Sequence, residues 1–238
     1  MESSREKTSD WYTDYYARKG NDRNDLLTNP EVLFQHLALE DAVISTLRKA
    51  EGLNRTSSRI LDVGCGSAAS LARFLQLGFS PDQLCGIDVL ADRIAEASRK
   101  YPNIRFVCDD ASSMPFGTGE FDFVLESTMF VQITDDHLAQ GIASEMLRVT
   151  SENGHILLID WRYDKPGNAS YKAVSRKRIE RLFGVGSSSD IVWRANGSLV
   201  PPVGRPVSAY VPSLYFLLRA IFPFLSGLKT TLLRKRVT

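Results

Sequence analysis

The sequence predicts an α/β fold, a doubly wound and mostly parallel sheet with helices on both faces, and three observations predict it. Short apolar runs of the kind buried on both faces of a parallel sheet alternate with helical segments from residue 58 to residue 160. The first run, Arg59 to Val63, leads into the glycine-rich turn Gly64-Cys65-Gly66-Ser67-Ala68-Ala69, the place where a doubly wound sheet receives its ligand. The chain has 238 residues, 43% of them hydrophobic, which suffices for one sizeable core.

Each element follows from local chemistry. A helix is expected from Asn29-Pro30, where Asn caps the first amides and Pro fits the first turn, to about Ala50. After the strand at Arg59 to Val63 come a helix from Ala68 to Leu77, stopped by Gly78, a strand from Leu84 to Ile87 and a helix from Ala91 to Lys100. Ile104 to Val107, Phe121 to Leu125 and Ile156 to Ile159 read as strands. Thr134 is placed to cap a helix over 135–149, whose first turn carries Asp135 and Asp136. Beyond these lie a basic helix in "YKAVSRKRIERLFG", a strand near Ile191 to Val200, and the Pro-rich "VPPVGRP". An apolar helix from about Ser213 to Leu225 and a final strand from Leu228 to Val237 complete the chain.

Composition narrows the function classes. The formal net charge is +1, yet after Asp190 there is no acidic residue, only Arg194, Arg205, Arg219, Lys229, Arg234, Lys235 and Arg236. That asymmetry points to an anionic partner such as a lipid surface or a phosphate-bearing substrate, or else to an ordinary solvated tail. The opening "MESSREKTSD" is followed by no apolar stretch, so a cytoplasmic chain is expected. The apolar segment near 210–228 is interrupted by Arg219, Pro223 and Gly227, which suits a packed or interfacial helix better than a membrane span. Cys65, Cys85 and Cys108 have neither zinc-site nor thioredoxin-like spacing and are read as buried, reduced thiols. No metal site is expected, because Asp160 and Asp164 are too few oxygen ligands for Mg²⁺.

The glycine turn satisfies the loose dinucleotide pattern, but Asp62 stands two positions before Gly64. An ionised carboxylate at that lip repels a pyrophosphate and attracts an ammonium group. S-adenosylmethionine has the ammonium and no phosphate, so Asp62 favours it over NAD. Asp88 ends the next strand, where an acid can accept both hydroxyls of a ribose.

With these residues the sequence resembles the class I S-adenosylmethionine-dependent methyltransferases. Asp62-Val63-Gly64-Cys65-Gly66 matches their first motif, with Ala68 in place of its third Gly, a mild departure because Ala suits a helix start. "DDASSMPF" at 109–116 resembles the family's Asp-Ala and Leu-Pro-Phe motif, and "FDFVLESTMF" at 121–130 its fourth strand. The resemblance implies a Rossmann-like sheet with its last strand antiparallel. It also implies a cofactor set of Asp62, Gly64, Cys65, Gly66, Asp88, Val89, Asp110, Ala111, Glu126 and Ser127. Asp110 would meet the adenine amino group, with Asp109 as its rival. The N-terminal aromatics Trp11, Tyr12, Tyr15 and Tyr16 would fold over the cofactor, with Arg18 and Lys19 near its carboxylate. The implied organisation is an N-terminal arm and helix (1–57) covering the cofactor site, then the methyltransferase domain (58–238) with an apolar insertion near 210–225.

A sulfonium methyl group needs an aligned nucleophile, and a sugar hydroxyl also needs a general base. Glu126 and Asp160, at the carboxyl ends of the fourth and fifth strands, are the candidate catalytic residues; contact or structural roles are the alternative for both. Where many relatives carry histidines, this chain reads Val131-Gln132, while His137 is near and His36 and His155 are misplaced. "ESTMF" replaces the motif of nucleic-acid methyltransferases, which argues against that partner. The flanks, "DWRYDKPGN" and "LVPPVGRP", resemble a subgroup associated with surface polysaccharide or glycolipid synthesis. The expected acceptor is therefore a small-molecule or lipid-linked saccharide, with peripheral membrane contact through 210–238. The alternatives are methylation of another small molecule, an NAD-dependent oxidoreductase and a non-catalytic binding protein.

Overall fold

The computed structural model describes residues 24–237 and divides into two compact units. One comprises 24–41 and Asn196–Gly227, the other Ala42–Ala195 with 228–237. The first division falls inside the opening helix α1 (Pro30–Leu47). Tyr16, Arg18, Lys19 and the other N-terminal aromatics lie outside the described residues.

The larger unit is built on β1 (Ile60–Val63), α2 (Ala69–Gln76), β2 (Leu84–Asp88), α3 (Ala91–Lys100), β3 (Arg105–Cys108) and β4 (Phe121–Ser127). It continues through α4 (Asp136–Val149), β5 (Thr150–Trp161), α5 (Arg176–Leu182), β6 (Ser189–Asn196) and β7 (Leu228–Lys235). The seven strands form one sheet in the order β3-β2-β1-β4-β5-β7-β6. Strands β1 to β5 pair in parallel, and β7 runs antiparallel to β5. This is the doubly wound, mostly parallel sheet that the alternating pattern predicts. The strand order reverses at β1 and β4, so the carboxyl ends of these strands open the crevice where such sheets bind ligands.

The central strands are mainly apolar on both faces because helices cover them. Ile60, Leu61 and Val63 of β1, Val124 of β4 and Ile156 and Leu157 of β5 have no solvent exposure. Helix α4 presents Ala139, Ile142, Ala143, Met146 and Val149 to this core, the spacing of one helical face. Gly86 in β2 is dictated by packing: a Cβ there would lie 2.7 Å from Cys65 Sγ and 2.9 Å from the Phe106 ring.

Three local expectations are corrected. The cap of α4 is Asp135, not Thr134; its Oδ1 accepts the N–H groups of His137 and Leu138, as a carboxylate at a positive helix end does best. Cys108 is exposed, unlike Cys65 and Cys85, because β3 is the edge strand. The basic segment yields a helix only over Arg176–Leu182, started by Ser175, whose hydroxyl accepts the Arg178 N–H.

The smaller unit contains α6 (Pro201–Tyr210) and α7 (Tyr215–Ile221). The Pro-rich "VPPVGRP", which carries no helical expectation, starts α6, because proline is tolerated in a first turn whose N–H groups have no partner anyway. The expected apolar helix of 213–225 is one short α-helix flanked by single 3₁₀ turns, each opening with a proline at 212 and 223. Tyr215 is the unit's buried anchor. Its hydroxyl donates to Gln35 Oε1 (3.1 Å) and accepts from the Leu199 N–H (2.9 Å), and its ring packs on Ala38 and Leu199. Among the described residues no helix is long and apolar enough to cross a membrane.

Candidate active site

The site grows from the turn after β1. The N–H groups of Gly64 and Cys65 both donate to the Ile87 carbonyl (2.8 and 3.1 Å), which hangs the turn on β2. Gly64 and Gly66 hold φ of +71° and +50°, the left-handed region that glycine enters freely. A Cβ on Gly64 would also meet Met129 Sδ at 2.8 Å, whereas the space beside Gly66 is open. Ala68 takes φ +69°, so its replacement of the third Gly is not the mild change expected from helix propensity; it carries a left-handed alanine at a cost of about 1 kcal/mol. Its fully buried methyl group offsets that cost.

Asp88 ends β2 with its carboxylate fixed by two backbone donors, Gly66 N–H on Oδ2 and Leu90 N–H on Oδ1, both 2.9 Å. Each oxygen keeps a lone pair for an incoming hydroxyl. The Asp109 N–H donates to the Asp88 carbonyl, which brings the end of β3 alongside. There Asp109 Oδ1 accepts the Asp110 N–H (2.8 Å), while Asp110 Oδ1 accepts both the N–H and the hydroxyl of Ser112 (2.8 Å each). Ala111 packs against the main core, and the Val89 carbonyl faces Cys108 Sγ at 3.7 Å.

Asp62 is 1% exposed, and its Oδ1 has no hydrogen-bond partner among the described residues. Burial, with the Asp88 charge adding to it and Arg73 opposing, pushes its carboxyl up to about 8. Burial and the same two acids push the Cys65 thiol upward, and its sulfur packs toward β2 at Gly86. Sequence order thus brings Asp62, the glycine turn, Asp88 and the Asp109–Asp110 pair to one edge of the sheet.

Glu126 and Asp160 are buried as well. Glu126 has no solvent exposure; its Oε1 accepts the Ile159 N–H (3.1 Å) and its Oε2 the Met129 N–H (3.0 Å). Burial and the neighbouring Asp160 push its carboxyl well above the usual range. Asp160 is 4% exposed, accepts from Val131 N–H (2.9 Å) and Trp161 N–H (2.8 Å), and is raised by burial to about 7. Ser127 closes β4, and Thr128 beyond it holds φ +58°, a strained value for a β-branched residue. No local sequence signal marks that strain. His137 is exposed at the start of α4, and burial lowers the pKa of His155 on β5. The described residues contain no group of three or more His, Cys, Asp or Glu able to hold a metal.

Sequence missed Arg178, a buried charged residue near this end of the sheet. It is 3% exposed and donates to the Phe130, Lys172 and Ile133 carbonyls at 3.1, 3.0 and 2.6 Å.

A family described as "Methyltransferase domain" matches residues 60–154. The demethylmenaquinone methyltransferase of Beutenbergia cavernae is 30% identical over 50% of this chain and 47% of its own length. The phthiotriol/phenolphthiotriol dimycocerosates methyltransferase of Mycobacterium leprae is 28% identical over 60% of this chain and 56% of its own length. The chain therefore spans about half the length of the curated relatives it matches. Geranyl diphosphate C-methyltransferase from Streptomyces coelicolor, solved with S-adenosyl-L-homocysteine, shares the fold at TM-score 0.60 and 17% identity, over 84% of this chain and 78% of that one. The orphaned oxygen of Asp62, the open space beside Gly66 and the spare lone pairs of Asp88 fit a ligand carrying an ammonium group and a ribose. Residues 60–154 thus match a methyltransferase domain family, and the sheet that holds them has the fold of a solved methyltransferase.

Proposed function

We propose that the chain transfers a methyl group from S-adenosylmethionine to an oxygen of a small acceptor, a sugar of a glycolipid or polysaccharide precursor carried on a lipid. The carrying observation is the partnerless buried oxygen of Asp62 beside a glycine turn pinned to Asp88. When bound, S-adenosylmethionine supplies an activated sulfonium methyl. In this reading Asp62 receives the ammonium group, Asp88 the ribose hydroxyls, and Asp110 with the Ala111 N–H the adenine; Gly64, Cys65, Gly66, Val89 and Ser127 line the rest. Tyr16 is proposed to fold over the cofactor and Arg18 to meet its methionine carboxylate.

Glu126 is assigned to positioning, because it has no solvent exposure and ties β4 to β5 and to the turn after β4 through the Ile159 and Met129 N–H groups. Asp160 is the proposed proton acceptor for a hydroxyl nucleophile. Its carboxyl titrates at about 7, near the pH at which a base both holds and releases a proton.

A lipid-borne acceptor is supported by the smaller unit, which exposes Tyr210 (82%), Leu217 (52%), Ile221 (58%) and Phe224 (59%), an apolar display suited to peripheral contact with lipid. Its arginines do not serve that contact as free charges: Arg205 pairs with Glu31 at 3.2 Å and Arg219 with Asp41. The names of the two relatives, one acting on demethylmenaquinone and one on a phthiotriol dimycocerosate, support an apolar acceptor.

The test is transfer of isotope-labelled methyl from S-adenosylmethionine into bacterial extracts split into lipid and aqueous fractions. Label is expected in the lipid fraction, on a product whose methyl group resists alkaline hydrolysis as an ether does. Asp160→Asn is expected to slow transfer by about 10²–10⁴-fold while leaving S-adenosylhomocysteine affinity unchanged. Label confined to the aqueous fraction would overturn the lipid-borne acceptor, and full activity of the variant would overturn the role of Asp160.

A further inference from the structure

Directly after β5 the chain forms a cleft of about 350 Å³, and five of its nine lining residues are cations: Arg162, Lys172, Lys177, Arg178 and Arg181. The one acid in its wall, Asp164, is occupied in holding the two sides together, accepting the Ala173 N–H at 2.8 Å. Outside the wall, Asp136 is shared by Lys172 (2.8 Å), Arg181 (3.5 Å) and Arg178 (3.8 Å), so three cations meet one carboxylate. Arg178 fixes the floor. Its two terminal nitrogens are spent on carbonyls, while its buried Nε makes no hydrogen bond among the described residues.

The positive charge continues along the sheet. Arg162 lies close enough to Arg194 of β6 and Lys229 of β7 that, after burial, these two arginines are what depress the Lys229 ammonium to about 8. Arg176 and Arg162 act in the same direction on Arg194. Five cations lining one cleft suit an anionic ligand. Because β1, β4 and β5 are parallel, Arg162 stands at the same edge of the sheet as the glycine turn after β1 and Ser127 at the end of β4.

We infer that this cleft binds a phosphate group, as a monoester or diphosphate, borne by the methyl acceptor, and so anchors that acceptor beside the cofactor turn. The charge balance favours a dianion over a carboxylate, since five cations face Asp164 in the wall and Asp136 outside it, an excess of three positive charges. Arg and Lys together supply fork-like and point donors suited to several phosphate oxygens. The inference rests on the methyltransferase reading for its purpose, but its test does not use methyl transfer.

The full chain would be titrated calorimetrically with inorganic phosphate and with pyrophosphate at constant ionic strength, and separately with S-adenosylhomocysteine. Saturable phosphate binding with Kd below about 1 mM is expected, a free energy of about −4 kcal/mol, with pyrophosphate tighter. The double variant Arg162→Gln/Lys177→Gln is expected to weaken both by at least about tenfold without altering S-adenosylhomocysteine binding, and Arg99→Gln, on the exposed end of α3, to change neither. Arg181→Gln alone serves if the double variant fails to fold. Co-sedimentation with phosphatidic acid vesicles, compared with phosphatidylcholine vesicles, separates the sources: retention on the former that the double variant loses assigns the phosphate to a lipid headgroup, and no retention assigns it to a soluble acceptor. Phosphate heats no larger than those of chloride, or variants that bind phosphate like the wild type, would overturn the inference even where S-adenosylhomocysteine binds. Loss of S-adenosylhomocysteine binding alone would instead overturn the methyltransferase reading.

Discussion

Asp62→Asn is expected to raise the melting temperature of the ligand-free chain at pH 8 while weakening its affinity for S-adenosylhomocysteine. The carboxyl of Asp62 titrates at about 8 in the fold, and near 4 in an unfolded chain. From pH 4 to pH 8 the unfolded chain has therefore released a proton that the folded chain still holds, and stability falls with rising pH across that window. At pH 5 the folded side chain is still neutral and only about one unit of that window has been crossed, so the Asn variant gains only about 1–2 kcal/mol there. At pH 8 about four units of that window have been crossed, and the Asn variant, spared the buried charge, is expected to gain about 4–6 kcal/mol, or roughly 8–20 °C for a chain of this size. Glu126 and Asp160, raised by burial in the same direction, steepen the slope in both proteins and cancel in the difference. The affinity moves the other way, because a charge-assisted hydrogen bond to the cofactor ammonium is lost, a change of about 1.5–3 kcal/mol or 10- to 100-fold. Thermal melts and titrations at pH 5 and pH 8 check both signs. A variant no more stable than wild type at pH 8 would contradict the burial argument.

Arg178→Met is expected to cost about 3–5 kcal/mol of unfolding free energy, as for other broken buried charge networks. The methionine fills similar volume, but three carbonyls that now accept from Arg178 lose their donor. Two of them, Phe130 and Ile133, lie in the turn after β4, so the loss loosens the segment that holds Met129 against Gly64. Asp160 also loses a neighbouring positive charge, which moves its carboxyl further up. Urea unfolding should show a lower midpoint, and Arg178→Lys should recover part of it. A Met variant within about 1 kcal/mol of wild type would show that the guanidinium is dispensable to the fold.

What could be read in advance was whatever depends on local pattern. The strands β1, β2 and β4 and the helix α3 follow from apolar period and from breakers such as Gly78, and the structure places them within one or two residues. Asp62, Gly64, Gly66, Asp88 and Asp110 were legible as a set because the parallel topology brings the ends of successive strands together. Features fixed by tertiary context were not legible. The left-handed φ of Ala68 and Thr128 comes from how the turns close, since neither residue type announces it. The helix over Pro201–Tyr210 hides behind three prolines, of which only the first two suit its start. Cys108 looks like its two buried counterparts until the strand order puts β3 at the edge. The phosphate cleft draws on residues 162–181, whose basic character was visible but whose convergence depends on Asp164 and Arg178 drawing separate loops together. The basic tail read as a surface for an anionic partner, yet Arg205, Arg219 and Arg236 each carry an acidic partner from elsewhere in the chain.

The most direct measurement is calorimetric titration of the wild-type chain and an Asp88→Ala variant with S-adenosylhomocysteine, with NAD as the competing ligand. Single-site binding of S-adenosylhomocysteine in the micromolar range, about −8 kcal/mol, is expected for wild type, with a loss of at least about 100-fold in the variant and no heat from NAD. A folded wild-type chain that binds NAD and not S-adenosylhomocysteine, or a variant that binds S-adenosylhomocysteine as tightly as wild type, would contradict the assignment of this edge of the sheet to the methyl donor.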